Sequence, residues 1–330
     1  MSTLTSRLPP GPGGAGGSNP IPHVAVIVLH WGPEELTIRC LESLSRDSFS
    51  GKRTVFLIDN AQSLGRSLAA RLPSLDIEID RPARNLGFAE GCDRGISMAA
   101  ACGADFIMLL NNDAVVESSC LDLLVKAAAD SPETGLLSPH IVSMTNPPRP
   151  WYVGGSFSLW SGIPVQARRR SDVAGPGSPR EVDYATGCAM LITPAVVRSI
   201  SSFDARFFAY CEDLDFSLRA RNAGFGVLVV PRARVHHAAA DSDRLSQSIY
   251  YSTRNLLEVM RRHGTWYHWI GIVPNFLVRW VGFFTVLACL RGRPEFLRAL
   301  ASGVVDFARG RLGERSPGRG AAAARTEAPE

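Results

Sequence analysis

Lysine is almost missing. Only Lys52 and Lys126 occur, so 33 of the 35 basic side chains are arginine, which reads as GC-rich codon bias rather than adaptation to nucleic acid. Cysteine is sparse: the seven residues are odd in number, scattered and without a C-x-x-C pair, which argues for a reducing compartment. Glycine and proline lack any period, and a net charge of only +4 with 45% apolar residues excludes a disordered chain. No internal repeat is evident. The first 20 residues have no apolar core or cleavage pattern of a secretory signal. They are expected to form part of a disordered leader over 1–21, and 310–330, rich in Gly, Ala, Arg and Pro, an equally disordered tail. A Gly-rich phosphate loop bearing Lys or Arg is also missing after the first strand, where His30-Trp31-Gly32-Pro33 stands; this argues against a nucleotidyltransferase.

What is present is α/β punctuation. VAVIVL (24–29), a helix after Pro33, TVFLI (54–58), a run near Leu75–Ile79, a helix over 88–101 and DFIMLL (105–110) predict at least four parallel strands. Ligands collect at the carboxyl ends of such strands, which singles out His30-Trp31, Asp59-Asn60, Arg84-Asn85 and Asn111-Asn112-Asp113. A helix over 118–130 and a run near 135–142 follow. Pro/Gly-rich pieces at 151–162 and 175–179 then predict hairpins and a mobile loop. YATGCAMLI (184–192) reads as a strand, EDLDFSLRARNAG (212–224) as a helix closed by Gly224, and FGVLVV (225–230) as a further strand.

Several residues carry two readings. Asp59 at the end of FLID can accept from the N3–H of a uracil or thymine ring, or cap a turn. Asn111-Asn112-Asp113 offers a carboxylate and two amides to a divalent cation whose shell is completed by diphosphate and water, or is a plain strand-to-loop turn. His236-His237 ends another predicted strand and supplies an imidazole, though a histidine there is more often structural. Glu212, Asp213 and Asp215 favour the helix dipole, and Asp215 is spaced to pair with Arg219. One of the three, against Phe207, Phe208 and Tyr210, can also act as a base.

From Val24 to His263 the chain resembles family 2 glycosyltransferases, in particular the rhamnosyltransferase-like branch of bacterial polysaccharide synthesis. The resemblance rests on the order of VAVIVLHW (24–31), VFLIDNAQ (55–62), RNLGFAEGCDRGI (84–96), DFIMLLNNDAVVE (105–117), WYVGG (151–155), ATGCAMLI (185–192), FDARFFAYCEDLDFSLRARNAGFGVLVVP (203–231), HH (236–237) and YYSTRN (250–255). It implies a GT-A fold over 22–263: a Rossmann-like, mostly parallel sheet flanked by helices. It also implies an inverting transfer from a UDP- or dTDP-sugar, dTDP-rhamnose foremost, to a glycan or lipid-linked acceptor. By resemblance Asp59, Asn85, Asn112 and Asp113 lie on the donor side. Asp113 and His237, with His236 as the alternative, hold Mg2+ or Mn2+. Asp213 is the general base, supported by Glu212 and Asp215. Asn111, where some relatives have a second Asp, and Cys92-Asp93, in place of a frequent Asn pair, keep open a competing reading, a binding scaffold that has lost turnover.

The charge is unevenly placed. Residues 1–260 hold 24 basic and 26 acidic side chains, whereas 261–330 hold 11 and 5. Within 264–309, Trp269 to Leu290 is apolar apart from Arg279 and would span about 33 Å as a straight helix. Arg279 costs roughly 2.5–3.5 kcal/mol inside a bilayer, and Pro274 with Asn275 interrupts the run. A helix or broken helix pair lying on the cytosolic leaflet is therefore expected, anchored by Trp266, Tyr267, Trp269, Trp280 and flanking arginines Arg261, Arg262, Arg291 and Arg293. The alternative is a helix packed on the core or in a dimer. Such a protein would be cytoplasmic and peripheral at the inner face of the membrane. The arginines alternate with apolar rather than base-stacking positions, so no nucleic-acid partner is expected.

Overall fold

In a computed structural model, residues 21–65, 67–166, 177–238 and 245–315 are described. The leader over 1–21 lies almost wholly outside them, as does part of the expected loop at 175–179. β1 (His23–His30) is buried along its whole length, as expected of a strand covered on both faces. α1 (Glu34–Arg46) buries Cys40, Leu41 and Leu44 against the sheet. β2 (Lys52–Asp59), β3 (Asp76–Asp80), α2 (Gly87–Ala101) and β4 (Phe106–Asn111) follow in the predicted order. β1 pairs parallel with β2 and β4, and β2 with β3. His30 lies opposite Asp59 and Leu29 opposite Asn111, so the polar strand ends share one edge.

The second half mixes directions. It comprises β5 (Ala114–Val116), α3 (Cys120–Asp130), β6 (Thr134–Ser143), β7 (Pro150–Tyr152), β8 (Gly155–Ser156), β9 (Val165–Gln166), β10 (Arg180–Glu181), β11 (Ala189–Ile192), α4 (Pro194–Ile200), α5 (Glu212–Asn222) and β12 (Gly226–His237). β11 runs antiparallel to β4 and β6, and β12 parallel to β6. The sheet order is β10-β12-β6-β11-β4-β1-β2-β3, with β5 on β12 and β7 on β6. The strand expected over 184–192 is shorter, because the backbone before Ala189 bonds to α5 instead of a ladder. Ala185 N–H donates to Ser217 Oγ and Gly187 N–H to Asp213 Oδ2.

α6 (Leu245–His263) leads into a continuous helix from Trp266 to Arg291. It contains α7 (Trp269–Asn275), a π-turn over Phe276–Val281 and α8 (Gly282–Arg291). Pro274 lies inside α7, and its missing N–H and its ring account for the loosened register that follows. Ile272, Phe276 and Ala288 are buried against the body, and Trp280 Nε1 donates to Thr253 Oγ1 of α6 at 3.0 Å. α9 (Glu295–Ala308) returns to cover α6. Order continues past the boundary expected at 310. Arg254 Nη1 donates to Gly313 O at 2.7 Å and Arg315 N–H to Tyr251 Oη at 2.9 Å, so buried polar groups of α6 draw the first tail residues onto the body.

Candidate active site

β4 ends at Asn111, and β5 pairs antiparallel with the end of β12, setting His237 opposite Ala114 and His236 opposite Val115. Side chains alternate across a strand, so the two histidines face opposite ways. His237 is buried, with Nε2 3.2 Å from Asp113 Oδ1 and its ring 4.7 Å from that of Trp151. His236 turns away and bonds Glu117 Oε1 at 2.7 Å. The structure therefore brings His237, not His236, to Asp113.

Asp113 Oδ1 and His237 Nδ1 are buried without a hydrogen bond among the described residues. A bound cation would satisfy that carboxylate oxygen. No group of three or more His, Cys, Asp or Glu side chains placed to hold a metal occurs among the described residues. The protein thus offers two ligands, one imidazole and one carboxylate. That donor set suits Mn2+ at least as well as Mg2+ and leaves positions for donor phosphate oxygens and water.

The acids at the start of α5 divide their roles by direction. Asp213 accepts from Gly187 N–H at 2.9 Å and Leu214 N–H at 2.8 Å. Burial pushes its carboxyl up, and these N–H groups oppose the rise without cancelling it. Glu212 is buried with Oε2 unbonded. Burial, then the neighbouring Asp213 charge, pushes it well above the usual carboxylate range. Asp215 points to α6 and accepts from Arg219 Nε at 2.8 Å and His263 Nε2 at 3.0 Å. Burial alone would raise Asp215, but the bonds from His263 and Arg219 outweigh it and hold it below the ordinary value.

Register joins these two groups. Asn111 N–H donates to Cys188 O at 2.9 Å, so Gly187, which holds Asp213, lies beside the strand end that leads into Asp113. The Cys188 thiol is raised first by burial, then by Asp113, Cys40 and Asp213.

The remaining predicted residues are engaged within the protein. Asp59 is fully buried and accepts from Ser63 and Leu64 N–H, both at 3.2 Å; Arg81 Nε approaches to 3.5 Å. Asn85 Oδ1 accepts from Gly87 N–H at 2.8 Å. Asn112 Nδ2 donates to Trp31 O at 3.2 Å and Thr37 Oγ1 at 3.0 Å. All three shape loops at the strand ends. Gly187, Arg254 and Asn255 carry interactions that sequence reasoning did not assign, although the ATGC and YYSTRN stretches containing them stood out as motifs.

A mostly parallel sheet with polar strand ends and a helix-borne carboxylate beside them is the arrangement of the GT-A fold. Solved structures share the fold. GalNAc-T7 with UDP, GalNAc and Mn2+ aligns at TM-score 0.59 and 17% identity over 74% of this chain, which spans 48% of that protein. The mannosyltransferase PcManGT from Pyrobaculum calidifontis, in complex with GDP-Man and Mn2+, aligns at TM-score 0.53 and 15% identity over 92% of this chain and 78% of its own. Residues 22–267 match the family described as "Glycosyltransferase like family 2", and the chain belongs to that family. Among curated relatives, the N-acetylglucosaminyl-diphospho-decaprenol L-rhamnosyltransferase of Mycobacterium tuberculosis is 26% identical over 264 residues, 73% of this chain and 85% of its own. The low-salt glycan biosynthesis hexosyltransferase Agl10 of Haloferax volcanii is 25% identical over 240 residues, 70% of this chain and 73% of its own.

Proposed function

We propose that this glycosyltransferase is inverting and moves a sugar from a UDP- or dTDP-sugar, dTDP-L-rhamnose foremost, to a hydroxyl of a lipid-linked glycan in cell-surface polysaccharide synthesis. The observation that carries the reading is Asp213: a carboxylate raised by burial, held by two backbone N–H groups and joined through Gly187 and Cys188 to the end of β4. The donor sugar and lipid acceptor follow the name of the mycobacterial relative.

In this reaction the acceptor oxygen bonds to the anomeric carbon as the bond to the diphosphate oxygen breaks. Asp213 takes the acceptor proton, and its raised affinity for a proton suits it to the task at neutral pH. The bonds from Gly187 and Leu214 fix its two oxygens before the acceptor arrives. Asp113 and His237 would hold a divalent cation, which stabilises charge on the departing diphosphate.

A lipid-linked acceptor remains in the bilayer, so the enzyme must meet it there. Trp266, Ile270, Val278 and Leu290 on the long helix are 71–80% exposed, while its other face rests on the domain. A helix seated in this way would lie on the bilayer surface; Arg261 and Arg262 pair instead with Glu258, Asp204 and Asp215 on the body, so the exposed Arg279 and Arg291 are the arginines that suit an anionic cytoplasmic leaflet.

The test is a panel of UDP- and dTDP-sugars with Mn2+ or Mg2+ and polyprenyl-diphosphate-GlcNAc in vesicles, scored for nucleotide release and product anomer. Acceptor-dependent dTDP release with inverted configuration is expected. A product of retained configuration, or no release across the panel, would overturn the reading.

A further inference from the structure

The five residues before α5, Phe207 to Cys211, hold an unusual backbone. Phe208, Tyr210 and Cys211 have φ of 65°, 69° and 65°, three of the six non-glycine residues with positive φ among those described. L-residues avoid this region, and such strain persists only where surrounding bonds enforce it. Cys211 is also the N-cap of α5, without a side-chain cap bond. The direction in which the first turn carries Asp213 therefore depends on this loop.

Two adjacent residues of α6 enforce it. The two N–H groups of Asn255 Nδ2 serve three carbonyls, those of Phe207, Ala209 and Tyr210 at 2.9, 2.8 and 2.7 Å, one N–H being shared. Arg254 Nη2 donates to Phe207 O at 3.0 Å, and its Nε to Asn255 Oδ1 at 2.9 Å, which fixes the orientation of that amide. Both residues are essentially inaccessible to solvent. Arg254 lies over the rings of Tyr250 and Tyr251 at 5.4 and 5.0 Å. Its bonded partners are neutral oxygens rather than a carboxylate, a costly burial for a cation unless those bonds matter. From the opposite side, Phe208 O accepts from Phe88 and Ala89 N–H at 2.6 and 3.1 Å. Gly87, at φ +70°, allows that approach, since a Cβ there would sit 2.5 Å from Phe208 O.

We propose that Arg254 and Asn255 are positioning residues for glycosyl transfer, latching the Phe207–Cys211 loop in its strained form so that α5 presents Asp213 to the acceptor. The inference rests on the reading of Asp213 as the base. Release of the latch lets the three positive-φ residues relax, turns the first turn of α5, parts Asp213 from Gly187 and hydrates the carboxylate.

The experiment uses the full chain. Asn255→Ala is expected to lower kcat by about 10–100-fold, the order expected of a small misplacement, with donor KM within about 2-fold. The acid limb of its kcat–pH profile should move down toward the ordinary aspartate value as Asp213 becomes hydrated. Adding Cys211→Gly to Asn255→Ala should recover part of kcat, because glycine takes positive φ without strain. Asn255→Ser, which keeps one donor, should fall between Ala and wild type, and serves in the same pH and rescue measurements where the Ala variant does not fold. Wild-type kcat in a folded Asn255 variant, or a loss with an unmoved acid limb and no rescue by Cys211→Gly, would overturn the latch. Asp213→Asn, measured in parallel, separates the two readings. If it keeps turnover, the base assignment fails; if it is inactive while the Asn255 variants are not, only the latch fails.

Discussion

Replacing Asp213 by Asn removes the proposed proton acceptor and keeps the shape. General-base action contributes about 10²–10⁴-fold, or roughly 3–5 kcal/mol of barrier, and kcat should fall by that factor. Donor affinity, read by titration with dTDP, should change little, because Asp213 is held by the backbone N–H groups of Gly187 and Leu214 and is proposed to meet the acceptor rather than the nucleotide. Stability sets two effects against each other. The amide keeps one acceptor, so one charge-assisted N–H bond worth about 1.5–3 kcal/mol is lost, but a charge that burial disfavours is no longer formed. The sign with pH follows from the raised carboxyl. The folded state binds the proton more tightly than the unfolded one, so stability falls as pH rises from the ordinary aspartate value through the folded one. Glu212 contributes in the same direction. Denaturant melts of Asp213→Asn between about pH 4 and 7 should show a shallower decline than wild type. Turnover within about 10-fold of wild type, short of the smallest factor a general base supplies, would refute the assignment.

His237→Ala should raise the Mn2+ concentration for half-maximal activity by at least about 10-fold, while His236→Ala, paired away with Glu117, should leave it unchanged. Asp215→Asn breaks a buried contact with Arg219 and His263 and should cost about 3–5 kcal/mol in urea unfolding. Because its carboxyl is lowered in the fold, its contribution is complete above the ordinary aspartate value and disappears as pH falls through the folded value; the variant should lose that part of the acid dependence. Val278→Glu, at a position 73% exposed, should leave the melting temperature unchanged and abolish flotation with anionic vesicles; undiminished flotation would show that this face does not meet lipid.

Strands and helices were legible where burial is periodic or continuous. β1, β2 and β4 are buried runs with no competing pattern, and α1 shows its inward stripe at Cys40, Leu41 and Leu44. The stretch 184–188 misled because its apolar content resembles a strand, while its N–H groups serve α5, which only tertiary structure reveals. The doublet His236-His237 was ambiguous in one dimension and is separated by strand alternation once β5 sets the register. Asp59, Asn85 and Asn112 show a different limit. A polar residue after a strand can meet a ligand and brace the strand end by the same geometry: Asp59 and Asn85 bond within their own loops, and Asn112 reaches Trp31 and Thr37. Asn255 was unreadable as a latch because its partners are backbone carbonyls some 45–48 positions away, and carbonyls leave no trace in composition.

The charge shift after residue 260 divides an acidic part, which carries the candidate site, from a basic one, but it does not divide the mechanics. α6 carries Arg254 and Asn255 against the loop that sets Asp213, and one position earlier Thr253 accepts from Trp280 of the long helix. Gly313, beyond α9, bonds both Arg254 and Arg206, the latter just before the loop. Removing residues after 263 would therefore leave Trp280's seat, the Arg254 Nη1 bond and the cover over Tyr250 and Tyr251 open to water. Water would then compete for the same N–H groups that hold the Phe207–Cys211 carbonyls. The C-terminal segment thus helps hold the loop that sets Asp213, while its outer face, at Ile270, Val278 and Leu290, stays exposed.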